Sequence, residues 1–268
     1  MNKRGQVTIF IIIAIVIIAA VIIFFAIKNY NVLPDQENLD KIPEAQNIKL
    51  FVESCLKTTS ETSITSIGQK GGYFNLTSNK INIFLYEYPV FIQNDNSYVP
   101  TLESIQTEIS HSIEYNIKDC LDDFQQFTDQ GISVSFKDIQ ATTKINENYT
   151  EVTLNMPLTI KKGSSTAKIS VFSTRVEPLK LPSILNSVNQ LINKQVKSKN
   201  TLCFSCVSDS IKEKNMKLKV LDSNNVFLYT LTDYDSNFTS SPYEFKFIGT
   251  YDFPECNSTG GCFNELNK

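Results

Sequence analysis

Residues 101–127 read TLESIQTEISHSIEYNIKDCLDDFQQF, and their spacing decides how the chain folds. Leu102, Ile105, Ile109, Ile113, Ile117, Cys120, Leu121 and Phe124 recur every three or four positions, which predicts an amphipathic helix of about six turns with one buried stripe. Thr101, placed after Pro100, is the expected N-cap. The sole histidine, His111, lies two positions from both Ile109 and Ile113 and therefore points away from the stripe, toward solvent. A single solvated imidazole supports neither a Ser-His-Asp or Cys-His catalytic set nor a histidine-based metal centre.

Working outward, residues 48–67 form a second helical stripe through Ile48, Phe51, Val52, Cys55 and Leu56, ended by Gly68 and Gly71-Gly72. Cys55 and Cys120 both fall on apolar stripes, so a bridge between them would tie together two helices whose faces are expected to meet. Residues 81–92 read as a short strand interrupted by Pro89, its second half open as to pairing. Beyond the long helix comes a meander over residues 132–139, 142–145, 150–160 and 166–176, with Val152, Leu154 and Met156 alternating and Pro157 expected at an edge or bulge. Residues 182–196 return to helix, with Pro182 in the first turn. The last third reads as strands over 216–221, 226–231 and 243–251. The fold class is α+β, antiparallel sheets with packing helices.

Ahead of this domain stands VTIFIIIAIVIIAAVIIFFAI at residues 7–27, with Thr8 its only polar side chain. As a helix it would be roughly 32 Å long, matching the ~30 Å apolar core of a bilayer. It is too long for the core of a cleaved signal and is followed by Lys28 rather than a small-residue cleavage site. Lys3 and Arg4 place its N-terminus in the cytoplasm and the rest of the chain outside, as a single-pass signal anchor in contact with membrane lipid. Residues 28–45, polar and carrying Pro34 and Pro43, read as a stalk, and residues 46–268 as the extracellular domain, with a sub-boundary near 199–215.

The composition agrees. Of the 268 residues, 25 are basic and 28 acidic; without Lys3 and Arg4 the remainder carries a net charge of −5, which excludes a nucleic-acid role. Six cysteines fit an oxidising compartment. Asn75, Asn148, Asn237 and Asn257 each open an Asn-x-Ser/Thr acceptor for glycans. Cys203-x-x-Cys206 with Cys256 and Cys262 has the ligand count of a zinc site, but an exported chain oxidises its thiols, so disulfides are the preferred reading. Residues 233–244 set Asp233, Asp235, Asn237 and Glu244 at offsets a calcium loop uses, yet Phe238 stands where the loop's sharp turn wants glycine, and a polar hairpin loop is preferred. The expected cofactor is none, with calcium and zinc as the alternatives. No phosphate-binding, dinucleotide-binding or nucleophile-elbow motif occurs, and no enzymatic activity is expected.

Lys3-Arg4-Gly5-Gln6-Val7-Thr8-Ile9-Phe10 resembles the class III leader of archaeal type IV pilin-like proteins. The resemblance implies a leader of residues 1–5, a membrane peptidase cutting between Gly5 and Gln6, and an apolar helix over 6–27 retained on the mature chain. Filament-forming members carry Glu at the fifth mature position, where this chain has Phe10. The outer part, through Phe51-Val52-Glu53-Ser54-Cys55-Leu56, Gln69-Lys70-Gly71-Gly72-Tyr73, Cys120, Met156-Pro157-Leu158 and 242–247, also resembles membrane-anchored archaeal proteins of small-genome lineages, which implies location but no activity. Three functions follow as expectations. The first is a non-enzymatic, glycosylated cell-surface structural or interaction protein touching another surface. The second is a pilin-like filament subunit contacting its own kind. The third is a solute- or calcium-binding module.

Overall fold

The computed structural model describes residues 42–76, 78–93, 96–198, 203, 211, 214–223 and 225–251. The leader with Gly5 and Gln6, the apolar run 7–27, and Cys206, Asn257, Cys256 and Cys262 lie outside the described residues. Among the described residues no helix is long and apolar enough to cross a membrane.

Three long helices and two sheets make the α+β architecture. Helix α1, Glu44–Gln69, buries Ala45, Ile48, Val52, Cys55, Leu56, Ile64 and Ile67 along one side. The predicted stalk is shorter than its sequence implies, because Ile42 and Ala45 are already core residues and Pro43 occupies the N-cap of α1. Strands β1 (Lys80–Ile83), β2 (Tyr86–Gln93) and β3 (Asn96–Ser97) follow, then helix α2, Leu102–Leu121, capped by Thr101, whose hydroxyl accepts from the Ser104 amide at 3.2 Å. Strands β4 (Ser133–Phe136), β5 (Gln140–Ile145), β6 (Thr150–Lys162) and β7 (Ser165–Val176) lead to helix α3, Leu181–Lys197, and to β8 (Met216–Ser223), β9 (Val226–Asp233) and β10 (Tyr243–Thr250).

The first sheet runs β1-β2-β10-β9-β8, with β3 also on β2; the second is built on β6, flanked by β7 on one side and by β4 and β5 on the other. The expectation of purely antiparallel sheets fails at one place: β2 and β10 run parallel, through Val90 opposite Ile248. The strand expected over 81–92 is a hairpin, Ile83 facing Tyr86 across a turn at Phe84-Leu85. The part of β2 up to Pro89 pairs with β1 and the part after it with β10 and β3, which answers the open half of that strand. Pro157 sits where the β6–β7 register shifts, between Asn155 and Leu158, as its missing amide requires.

A second difference concerns the long helix, which stops at Leu121 although its apolar period continues. Asp122, Asp123 and Phe124 all have positive φ, an unfavourable run for non-glycine residues that turns the chain back. The turn swings Phe124 and Phe127 onto Phe51, edge to face at 6.0 and 5.5 Å, and burial of two rings offsets the backbone cost.

Helix α1 joins the layers, packing on α2, β6 and β7 and, at its C-terminal end, on β10. Gly68 is required there, since a Cβ would stand 2.5 Å from the Glu244 carbonyl oxygen. On the inner face of the first sheet Phe91, Phe247 and Tyr229 stack ring on ring across β2, β10 and β9, at 4.9 and 5.0 Å. Helix α3 covers that sheet from the same side with Ile184, Val188, Leu191 and Ile192. Elements on both sides of the proposed sub-boundary at 199–215 contribute to one hydrophobic core.

Helix α2 also meets the margin of the second sheet by hydrogen bonds. Gln106 Oε1 accepts from the Ile145 amide at 2.9 Å, Ser110 bonds the Thr143 hydroxyl at 2.9 Å, and Glu114 Oε1 accepts from the Ala141 amide at 2.8 Å. The match is geometric: four helical residues rise about 6 Å, and two strand residues advance about 6.7 Å. Glu114→Ala is expected to cost about 1–3 kcal/mol by leaving the Ala141 amide unanswered, while Glu114→Gln retains most of the stability. Urea unfolding with hydrogen exchange at Ala141 checks this, and an unchanged exchange rate in the alanine variant would refute it.

Candidate functional site

The outer side of α2, opposite its apolar stripe, is where the described surface hollows. Glu108, His111, Tyr115 and Lys118 follow one another at helical spacing along that side, and the chain after α1 crosses in front of it with Tyr73, Phe74 and Asn75. Glu114 of the same helix, with Asp138 and Ile139 from the chain between β4 and β5, completes the lining of an open cleft of about 780 Å³.

Its walls are held by the same carboxylates that line it. Glu108 Oε2 accepts from the Phe74 amide at 2.8 Å, and Lys70 Nζ donates to the Phe74 carbonyl at 3.2 Å, so the crossing segment is fixed at both polar groups of one residue. Glu114 is the brace to Ala141 already described. Phe74 and Tyr115 face each other at 5.8 Å, tilted by 53°, and Tyr115 is 71% exposed. Burial, and then the nearby Glu108 charge, raise the pKa of the Tyr73 phenol. Three carboxylates against one ammonium give the cleft a negative potential beside aromatic faces, a combination that favours a cationic group.

The residues expected from sequence are distributed elsewhere. Cys55 and Cys120 form a disulfide, Cα to Cα 5.7 Å, from the buried side of α1 to the exposed side of α2. Cys203 is also disulfide-bonded, and its amide donates to Gln195 Oε1 of α3 at 2.8 Å. A bridged sulfur is not a zinc thiolate, which argues against the zinc alternative at Cys203.

The calcium-loop residues are not brought around one point. Asp233 is buried and turned back on its own loop, accepting from the Asp235 amide at 3.1 Å and the Ser236 hydroxyl at 2.6 Å. Asp235 pairs with Lys180 Nζ at 2.7 Å and accepts from Asn215 at 2.9 Å. The Lys180 hydrogen bond, then that of Asn215, hold its carboxyl below the usual range. Asn237 faces solvent, and Glu244 stands on β10 between Gln69 and Lys246. Burial works against the Glu244 charge, but the Lys246 and Gln69 hydrogen bonds more than offset it and leave the carboxyl below its usual value. Here protein donors occupy the carboxylates that a loop-bound cation would need. Among the described residues no group of three or more His, Cys, Asp or Glu side chains is placed to hold a metal ion.

Asn75, Asn148 and Asn237 are all exposed, and Asn75 stands on the rim of the cleft. His111 is exposed as its position on the helix implies, but it lines the cleft, which sequence reasoning missed. The polar run 108-111-115-118 was the available signal, and it is indistinguishable from an ordinary solvated helix face until the 73–75 segment is seen to cross it. No known family, curated protein or solved structure matches the chain.

Proposed function

We propose that the protein is a non-enzymatic cell-surface interaction protein, anchored in the membrane by residues 7–27 and presenting its α+β domain outside. The observation that carries this reading is the Cys55–Cys120 bridge, formed at the interface of the two helices that organise the core. Such a bond persists in an oxidising compartment and is rare in the cytosol. The cleft on α2 is the contact surface, and the partner's contribution is a lysine or arginine side chain laid between the Phe74–Tyr115 rings and the carboxylates. Its two central carboxylates also accept backbone amides, which suits a rigid recognition surface better than a proton-transfer role.

The test is to block free thiols in native membranes before denaturation and to add protease to intact cells. The expected result is that Cys55 and Cys120 escape alkylation and the domain is digested from outside. Alkylation of both, or full protection from protease in intact cells, overturns the proposal. The leader motif Lys3-Arg4-Gly5-Gln6 favours a second reading, in which a peptidase releases residues 1–5 and the chain joins a filament. A mature N-terminus at Gln6, found by intact mass, is its requirement.

A further inference from the structure

The hairpin β1–β2 ends in the most exposed large apolar side chains of the described chain, Phe84 at 96% and Leu85 at 95%, with Tyr86 beside them at 68%. Its two-residue turn carries none of the glycine, asparagine or aspartate such turns use, and Phe84 has a φ of 55°. A bulky ring in the left-handed region and wholly in water is unfavourable on both counts. The arm behind the tip is not loose. Ile81, Ile83 and Tyr88 pack on Val90, Leu228 and Ile248 of the sheet's outer face, and Lys80 pairs with Glu87 across the two strands at 2.8 Å. The tip is a neutral, apolar finger on a packed arm.

We propose that this finger inserts into the lipid bilayer that holds the protein's own N-terminal helix, laying the domain against that membrane. The proposal rests on the anchored reading above. A lipid surface is favoured over a protein partner by size. Two side chains offer only ~350 Å², against the ~800 Å² each partner buries in a stable protein interface, whereas hydrocarbon needs no complementary shape. With the Lys80 charge paired, insertion does not depend on anionic headgroups.

Reach favours the protein's own bilayer. Helix α1 has 26 residues, so about 39 Å separates its start from Gly71, which a Cβ would bring within 2.6 Å of Pro89 at the base of the arm. The arm returns at most about 13 Å of that. Tip and helix start are therefore roughly 20 Å or more apart, and residues 28–41 span up to about 46 Å when extended. That length lets the domain lie down until the tip meets the membrane, and tethering raises the local concentration enough for two side chains to suffice.

The chain contains no tryptophan, so Phe84→Trp in the full-length protein introduces a single indole at the tip. The variant is reconstituted in phosphatidylcholine vesicles with and without brominated acyl chains. The expected result is blue-shifted emission, strong quenching by brominated lipid of the same vesicle, protection from iodide, and no change in high salt. Iodide-accessible emission without bromine quenching, in protein that floats with the vesicles, overturns the proposal and leaves the anchor reading intact. A blue shift without bromine quenching places the tip in protein and also overturns it, as does quenching only by added protein-free brominated vesicles, which places the tip on a facing membrane. Protein that fails to float removes the anchor and the insertion together.

Discussion

Changing Cys55 or Cys120 to Ser lowers the stability of the folded protein by about 4 kcal/mol in our expectation. The bridge spans a sequence separation of 65 residues, and the chain-entropy account assigns a loop of that size a little over 4 kcal/mol, within the usual range of about 2–5. The two helices also meet through a buried hydrogen bond between Ser112 and Ser63, at 3.0 Å, which an unclamped interface would strain to keep. Urea unfolding of both single variants without reductant, beside the parent with and without it, gives the measurement. Parent-like midpoints in both variants would show that the bridge contributes nothing.

A comparable loss is expected on raising the pH. Tyr229, in the aromatic stack, shares a hydrogen bond with the Tyr251 hydroxyl at 2.8 Å, and burial pushes its phenol up to about 12. Burial likewise raises Tyr243 and, together with the neighbouring Tyr229, Tyr251. In the unfolded chain these phenols titrate near 10. Above that value the native state binds more protons than the unfolded one, so stability is fully present below about pH 10 and falls as the pH climbs through the native values. Tyr229 alone carries about 3 kcal/mol of this loss between pH 10 and about 12. Urea midpoints followed through that window with phenolate absorbance test it, and stability that stays level up to pH 12 would rule it out.

The parts of the fold that were legible in the sequence are those whose period is local. The stripe Ile105-Ile109-Ile113-Ile117, the alternation of Val152, Leu154 and Met156, and the amphipathic run in α3 all sit on buried faces. The Cys55–Cys120 pairing is also as expected, but only Cys55 lies on a buried face; Cys120, read as part of the apolar stripe, is exposed beside it. What escaped depended on contacts distant in sequence or on an unfavourable backbone. The parallel register of β2 on β10 joins residues more than 150 positions apart. The Phe84-Leu85 turn puts a bulky ring at positive φ, and the bend at Asp122-Asp123-Phe124 falls inside a continuing apolar period, so no turn signal marks either. The cleft was hidden because Glu108, His111, Tyr115 and Lys118 become a wall only when Tyr73 and Phe74 cross in front of them. The calcium-loop offsets say nothing of which way a carboxylate turns, and in the structure Asp235 pairs with Lys180.

The row of bonds from Gln106, Ser110 and Glu114 to β5 gives the second sheet a handedness of growth. With the β5 part of that margin answered by a helix, the four residues of β4 are all that remains there to recruit a strand, fewer than a typical strand needs. The twelve residues of β7 form the opposite margin, with no strand beyond them among the described residues. In polymer terms, closing that margin limits the valence of the sheet to one at most. A unit of valence one can pair with a single copy of itself and then stops, whereas a fibril needs two open ends on every unit. Where like domains meet edge to edge at high local density, α2 acts as a chain terminator.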